Sequence, residues 1–138
     1  MKKRILSVCL MLGLTTIFTY AQKPWDNGRL MISSNNRYLQ FENGSPFFWL
    51  GDTGWLVPQH LDRSEVEYYF NKCRRAGYNM VQIQVMDAVP SYNIYGQQSL
   101  PYGWDFTKAD PEGVYSYWDH LDYIVRKAEQ NGIYIGMV

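Results

Sequence analysis

The feature that most constrains this chain is a rhythm beginning at residue 46: strand, helix, strand, helix, strand. Phe47 to Gly51 is a short apolar run. The helix after it has Asp62 at its N-cap and Glu65 three residues later, the spacing of a capping box. Val66, Tyr69, Phe70 and Cys73 recur at helical spacing, and Gly77 supplies the stop. Cys73 therefore reads as a small core residue, not a reactive thiol. Met80 to Met86 is the second strand. A second helix carries Trp118, Leu121, Val125 and Ala128 on one stripe, starts near Asp110-Pro111 and ends at Gly132. Ile133 to Val138 is the third strand. Such repeats pair their strands in parallel through right-handed crossovers.

The second strand separates a barrel from an open sheet. Central strands covered on both faces read as continuous apolar runs. Here Val81, Ile83 and Val85 alternate with Gln82 and Gln84. Apolar side chains under helices and polar ones inward suit a barrel near the level where its pocket begins. The chain stops within an apolar strand, so the expected fold class is α/β: about three βα units from the N-terminal part of a TIM (β/α)₈ barrel, truncated at 138.

Ahead of the barrel rhythm, Leu30-Met31-Ile32 and Tyr38 to Phe41 flank the turn formers Ser33-Ser34-Asn35-Asn36. Asn43-Gly44 marks a second hairpin before Phe47. Residues 22–29 are a polar lead-in, and residues 30–138 form the barrel portion with its introductory hairpin. Lys2, Lys3 and Arg4, the apolar run Ile5 to Ile17, and Thr19-Tyr20-Ala21 together have the pattern of a secretory signal peptide over residues 1–21. The expected protein is exported, with no membrane association after signal cleavage.

Removing that segment changes the charge balance from 13 basic against 13 acidic to 10 against 13, because three basic residues leave with it. No basic patch suggests nucleic acid. Cys73 is then the sole cysteine, so no intramolecular disulfide can form. No phosphate loop, HExxH or nucleophile elbow is present, and His60 and His120 are too isolated to suggest a metal; no cofactor is expected.

Asp52-Thr53-Gly54 has two readings. It matches the catalytic tripeptide of aspartic proteases, where two like carboxylates share a proton. That family is nearly all β, and bulky Trp55 follows the tripeptide here. In a barrel, polar residues at the C-terminal ends of strands build the site. Asp52 directly after strand one and Asp87 directly after strand two would then rise on one rim. Between Ala88 and Ala109 lies a long loop carrying Tyr92, Tyr95, Tyr102, Trp104 and Phe106. Rings on a rim offer flat faces to sugars, with polar tips for hydroxyls. A loop folded down on its own side chains is the other reading.

The runs "NNRYLQFENGSPFFWLGDTGW", "LDRSEVEYYFNKCRRAGYNMVQIQVM" and "YWDHLDYIVRKAEQNGIYIGMV" resemble the apiosidase-like family of bacterial glycoside hydrolases. The likeness covers nearly all of the chain after residue 21; the family usually has Ala where Gly54 stands. The resemblance implies exported enzymes that remove sugars, such as branched apiose units, from plant polysaccharide. It also implies that the acid/base and nucleophile carboxylates lie on later strands, so no catalytic residue is assigned here. Asp52, Trp55 and Asp87 carry over as pocket positions, and Gln84 joins them from the alternation of strand two. The expected partner is a carbohydrate substrate. A non-catalytic carbohydrate-binding module is the alternative, and a homodimeric aspartic protease the remoter one.

Overall fold

The computed structural model describes residues 23–108, 111 and 113–138. The predicted signal peptide and Asp110 of the predicted helix start lie outside the described residues. An antiparallel sheet forms first, from β1 (Leu30–Ile32), β2 (Leu39–Phe41) and β3 (Pro46–Phe47). Gly44 adopts φ of 85° between β2 and β3, where the Asn-Gly turn needs the left-handed region. The Phe41 N–H donates to the Ser45 carbonyl at 2.8 Å and closes that turn.

A parallel sheet follows, in the order β4 (Gly51–Thr53), β5 (Met80–Ile83), β6 (Tyr134–Met137). Its crossovers are the four-residue α1 (Val57–His60) with α2 (Arg63–Arg75), and α3 (Tyr117–Gln130). Sequence order and parallel pairing agree with the barrel expectation.

The predicted strand one needs correction. Phe47 belongs to β3, captured by the Asn-Gly hairpin, and β4 begins only at Gly51. Residues 48–50 are a connector held by one residue: Asn79 Nδ2 donates to the Phe48 carbonyl at 2.7 Å, its Oδ1 accepts the Leu50 N–H at 3.0 Å, and its backbone N–H donates to the Leu50 carbonyl at 2.9 Å. Strand two is likewise shorter than Met80–Met86. Beyond Ile83 its backbone bonds alternate between neighbours: the Gln84 N–H donates to Trp55, and the Val85 N–H to Val138. The third strand, expected over Ile133–Val138, is Tyr134–Met137.

The two longer helices, α2 and α3, start on capping boxes. Asp62 and Glu65 form the expected one on α2. On α3 the cap is Ser116 with Asp119, six residues past the predicted Asp110 start. Ser116 Oγ accepts the Asp119 N–H at 3.0 Å, and such a cap stabilises a helix by about 1 kcal/mol.

Val66, Phe70 and Cys73 of α2 and Leu121, Ile124 and Ala128 of α3 pack on Val81 and Ile83. Full burial of the Val, Leu, Ile and Phe side chains among them contributes roughly 1.5–3 kcal/mol each. The alternation thus holds: Val81 and Ile83 lie under helices, while Gln82 stands on the other face in register with Thr53 and Gly136. Phe47 meets Tyr134 edge-on at 5.7 Å, and Trp25 does the same. Since Tyr134 opens β6, the antiparallel sheet stacks on the N-terminal end of the parallel strands. The opposite end is left for a site.

Candidate functional site

At that C-terminal end, the four predicted positions do not gather in one place. Asp52 lies within β4, not after it. Its register partner is Val81, so it shares the face that looks toward α2. Its Oδ2 accepts the Tyr69 hydroxyl of α2 at 3.0 Å, and its Oδ1 accepts the Thr53 N–H at 2.8 Å. Burial, then Cys73 and Asp52, push the Tyr69 phenol well above its ordinary range, so it stays a donor. Both carboxylate oxygens of Asp52 are therefore engaged locally.

The two glycines around Asp52 have separate causes. A Cβ on Gly51 would run into the Met80 backbone carbonyl, so glycine lets β4 lie close on β5. A Cβ on Gly54 would come within 2.6 Å of the Tyr69 hydroxyl oxygen, so glycine leaves room for the bond to Asp52.

Trp55 and Gln84 meet at the ends of β4 and β5, and Asp87 follows the end of β5. Gln84 donates its N–H to the Trp55 carbonyl at 3.0 Å, which ties the ends of β4 and β5 together. The Trp55 side borders an apolar hollow of about 490 Å³ with Leu56, Val57, Leu61 and Tyr69. Asp87 borders a different cleft, of about 480 Å³, between α1 and the following loop, with Gln59, His60, Ser91 and Tyr92. That volume lies in the range of small-molecule sites.

A buried polar network backs this cleft. Gln59 Nε2 donates to the Tyr117 hydroxyl at 2.9 Å and reaches the Gln84 and Val85 carbonyls at 3.4 Å each. The Tyr117 hydroxyl donates to the Val85 carbonyl. Ser91 Oγ donates to Asp87 Oδ1 at 2.5 Å. Burial raises the Tyr117 phenol above its ordinary value, which keeps the proton in place for that bond. Gln59, Ser91 and Tyr117 were not singled out from the sequence. Gln59 and Tyr117 are 58 positions apart, and no local pattern announces their meeting.

The long loop divides as well. Ser91, Asn93, Ser99 and Leu100 are buried and fold the segment onto α3, where Trp118 Nε1 donates to the Ser99 carbonyl at 2.9 Å. Tyr95 serves that packing: its hydroxyl accepts the Arg63 N–H at 2.9 Å, and its ring meets Tyr115 and His120 edge-on. Tyr92, Tyr102, Trp104 and Phe106 remain displayed, Trp104 at 72% exposure. His120 is structural, as its isolation suggested. It is fully buried, its Nε2 donates to the Leu61 carbonyl at 2.9 Å, and its Nδ1 accepts the Tyr115 hydroxyl at 3.0 Å. Among the described residues, no group of three or more His, Cys, Asp or Glu could hold a metal ion. None of their helices is long and apolar enough to cross a membrane.

With this geometry in view, comparisons with known proteins agree with one another. The family profile described as apiosidase-like, catalytic domain, matches residues 33–138. A solved glycoside hydrolase family 5 protein from Bacteroides vulgatus is 60% identical, with a TM-score of 0.81 over 85% of this chain. A second solved structure, described as a glycoside hydrolase, is 55% identical, with a TM-score of 0.83 over 86% of this chain. The chain spans only 25% and 27% of those two proteins. No curated protein matches it. A parallel βα sheet on a glycoside-hydrolase framework removes the aspartic-protease reading of Asp52-Thr53-Gly54, since that tripeptide lies on a parallel strand and its Asp bonds a helix. The chain belongs to the apiosidase-like family of glycoside hydrolases, and its fold is the N-terminal part of their (β/α) barrel.

Proposed function

We propose that this chain supplies one wall of the sugar pocket of an exported glycoside hydrolase acting on apiose-type branch sugars of plant polysaccharide. The observation that carries this reading is the cleft of about 480 Å³ at the C-terminal end of the parallel sheet, with an exposed carboxylate, Asp87, on its border. Barrel enzymes place their chemistry at that end. Asp87 accepts a sugar hydroxyl, Tyr92 offers a ring face, Gln84 supports the cleft from the end of β5, and Trp55 flanks it from the neighbouring apolar hollow. Asp52 holds the neighbouring strand to α2 and contributes to the pocket indirectly. The acid/base and nucleophile carboxylates come from later strands, and their separation sets retention or inversion. By themselves residues 22–138 bind no substrate productively and hydrolyse nothing.

The test is a complete enzyme: a chimera in which residues 23–138 replace the matching quarter of the Bacteroides vulgatus protein. Release of 4-nitrophenol from a 4-nitrophenyl apioside is expected. Activity confined to unrelated glycosides would reject the substrate, and binding of the glycoside without turnover would favour a carbohydrate-binding role.

A further inference from the structure

Gln59 presents an energetic oddity. It is 7% exposed, and its Oε1 is fully buried without a hydrogen-bond partner among the described residues. An unmet buried acceptor costs folding free energy that an apolar side chain of similar size would not. What the position gains must come from the other end of the amide, where Nε2 faces Tyr117, Gln84, Val85 and Ser91.

The direction of each bond there follows from donor inventory. An amide nitrogen only donates. The Tyr117 hydroxyl spends its single proton on the Val85 carbonyl, so toward Nε2 it can only accept. Ser91 Oγ sits 3.5 Å from Nε2, which can only donate toward it, and 3.4 Å from the Tyr117 hydroxyl, whose proton is already committed to Val85. Ser91 is thereby left with its own proton to give, and it gives it to Asp87 Oδ1 at 2.5 Å. Hydrogen bonds to a carboxylate are short and strong, so this one holds the Asp87 side chain in one orientation.

We propose that Gln59 is a positioning residue: held by the Tyr117 hydroxyl, its Nε2 fixes the direction of the Ser91 hydroxyl, and Ser91 holds Asp87 ready for a sugar hydroxyl. The inference rests on the reading of Asp87 as a sugar-binding carboxylate. Gln59, 7% exposed, lies at the back of the cleft. Its effect reaches the ligand through Ser91 and through the β5 end that Gln84 and Val85 form.

The chimera described above, assayed on the 4-nitrophenyl apioside, provides the test. Ser91→Ala removes the last link while sparing the bonds that the Ser91 backbone makes to Ser99. It should raise KM about tenfold and leave kcat within about twofold, because a charge-assisted bond that orders the ligand site is lost. Gln59→Met should shift KM in the same direction by less. In an Asp87→Ala background, Ser91→Ala should change KM by under about 1.5-fold, since coupled residues are not additive. Melting temperatures separate misfolding from mispositioning, and Ser91→Ala keeps the experiment decisive if Gln59→Met fails to fold. An impaired Asp87→Ala with an unaffected Ser91→Ala overturns the positioning role alone. An Asp87→Ala enzyme with parental kinetics, or a parent inactive on this glycoside, overturns the pocket reading and this inference with it.

Discussion

The Asp52 carboxylate accepts the Tyr69 hydroxyl at 3.0 Å, which joins the first parallel strand to the helix behind it. Asp87, the other carboxylate at this end of the sheet, is held instead by Ser91 beside an open cleft. Two acids that look alike in the sequence therefore have different neighbours, and substitution should tell them apart.

In the chimeric enzyme, Asp87→Asn should raise KM about tenfold, the scale of a lost charged hydrogen bond to a ligand. Asp52→Asn should change KM by less than about twofold and act on thermal stability, because both oxygens of Asp52 serve the protein itself. Steady-state kinetics and melting curves on the two variants check the contrast. Equal KM effects would mean that Asp52 faces the sugar.

Gly51 and Gly54 should differ in tolerance. Gly51→Ala drives a methyl into backbone of β5, which cannot move without breaking the sheet, and overpacking of this kind costs about 1–3 kcal/mol. Gly54→Ala presses on the far end of the Tyr69 side chain, which can swing away from Asp52. A clearly larger drop in melting temperature for Gly51→Ala is expected, with Tyr69→Phe erasing most of the Gly54→Ala effect.

Acid should weaken the fold through His120. Burial holds its folded-state pKa below the usual imidazole value, and the Leu61 carbonyl only partly opposes this. The nearby charged and titratable groups are Asp62, Arg63, Tyr115 and Tyr123. In the unfolded chain the ring takes up a proton near pH 6.5, whereas in the fold it resists until lower pH. The unfolded state thus binds more protons in that window, and stability falls as pH drops from about 7 through 6.5 toward the folded-state value. Melting temperatures of the chimera at pH 7.5 and 5.5 should show this fall, and His120→Gln should flatten it. A slope unchanged by His120→Gln would assign the acid sensitivity elsewhere.

Residues 22–138 expressed by themselves should bind a hydrophobic dye, lack a sharp melting transition and show no glycosidase activity. The motive is exposed apolar surface beside the parallel sheet: Phe48 at 76% and Trp49 at 53% in the connector ahead of β4, and Met137 at 52% on β6. Unpaired apolar strand edges invite association, and a small domain has little stability in reserve. A cooperative two-state melt from a soluble monomer would contradict this.

What the sequence determined by itself is what short-range physics controls. The Asp62–Glu65 capping box, the Val66-Phe70-Cys73 stripe, the Asn43-Gly44 turn and the alternation of Val81 and Ile83 with Gln82 each depend on neighbours within a few positions. Each was therefore readable without a fold. The tertiary structure decided where strand one begins and which way its acid points. Those outcomes depend on Asn79 gripping residues 48–50 from 29 and 31 positions away, and on a register that sets Asp52 beside Val81. A shift of one residue reverses the face of every side chain in a strand, so only the register of β4 on β5 could bring Asp52 within reach of Tyr69. Gln59 was invisible for the same reason. Its amide matters only because α1, the end of β5 and the start of α3 converge on it, and that convergence exists only in the folded chain.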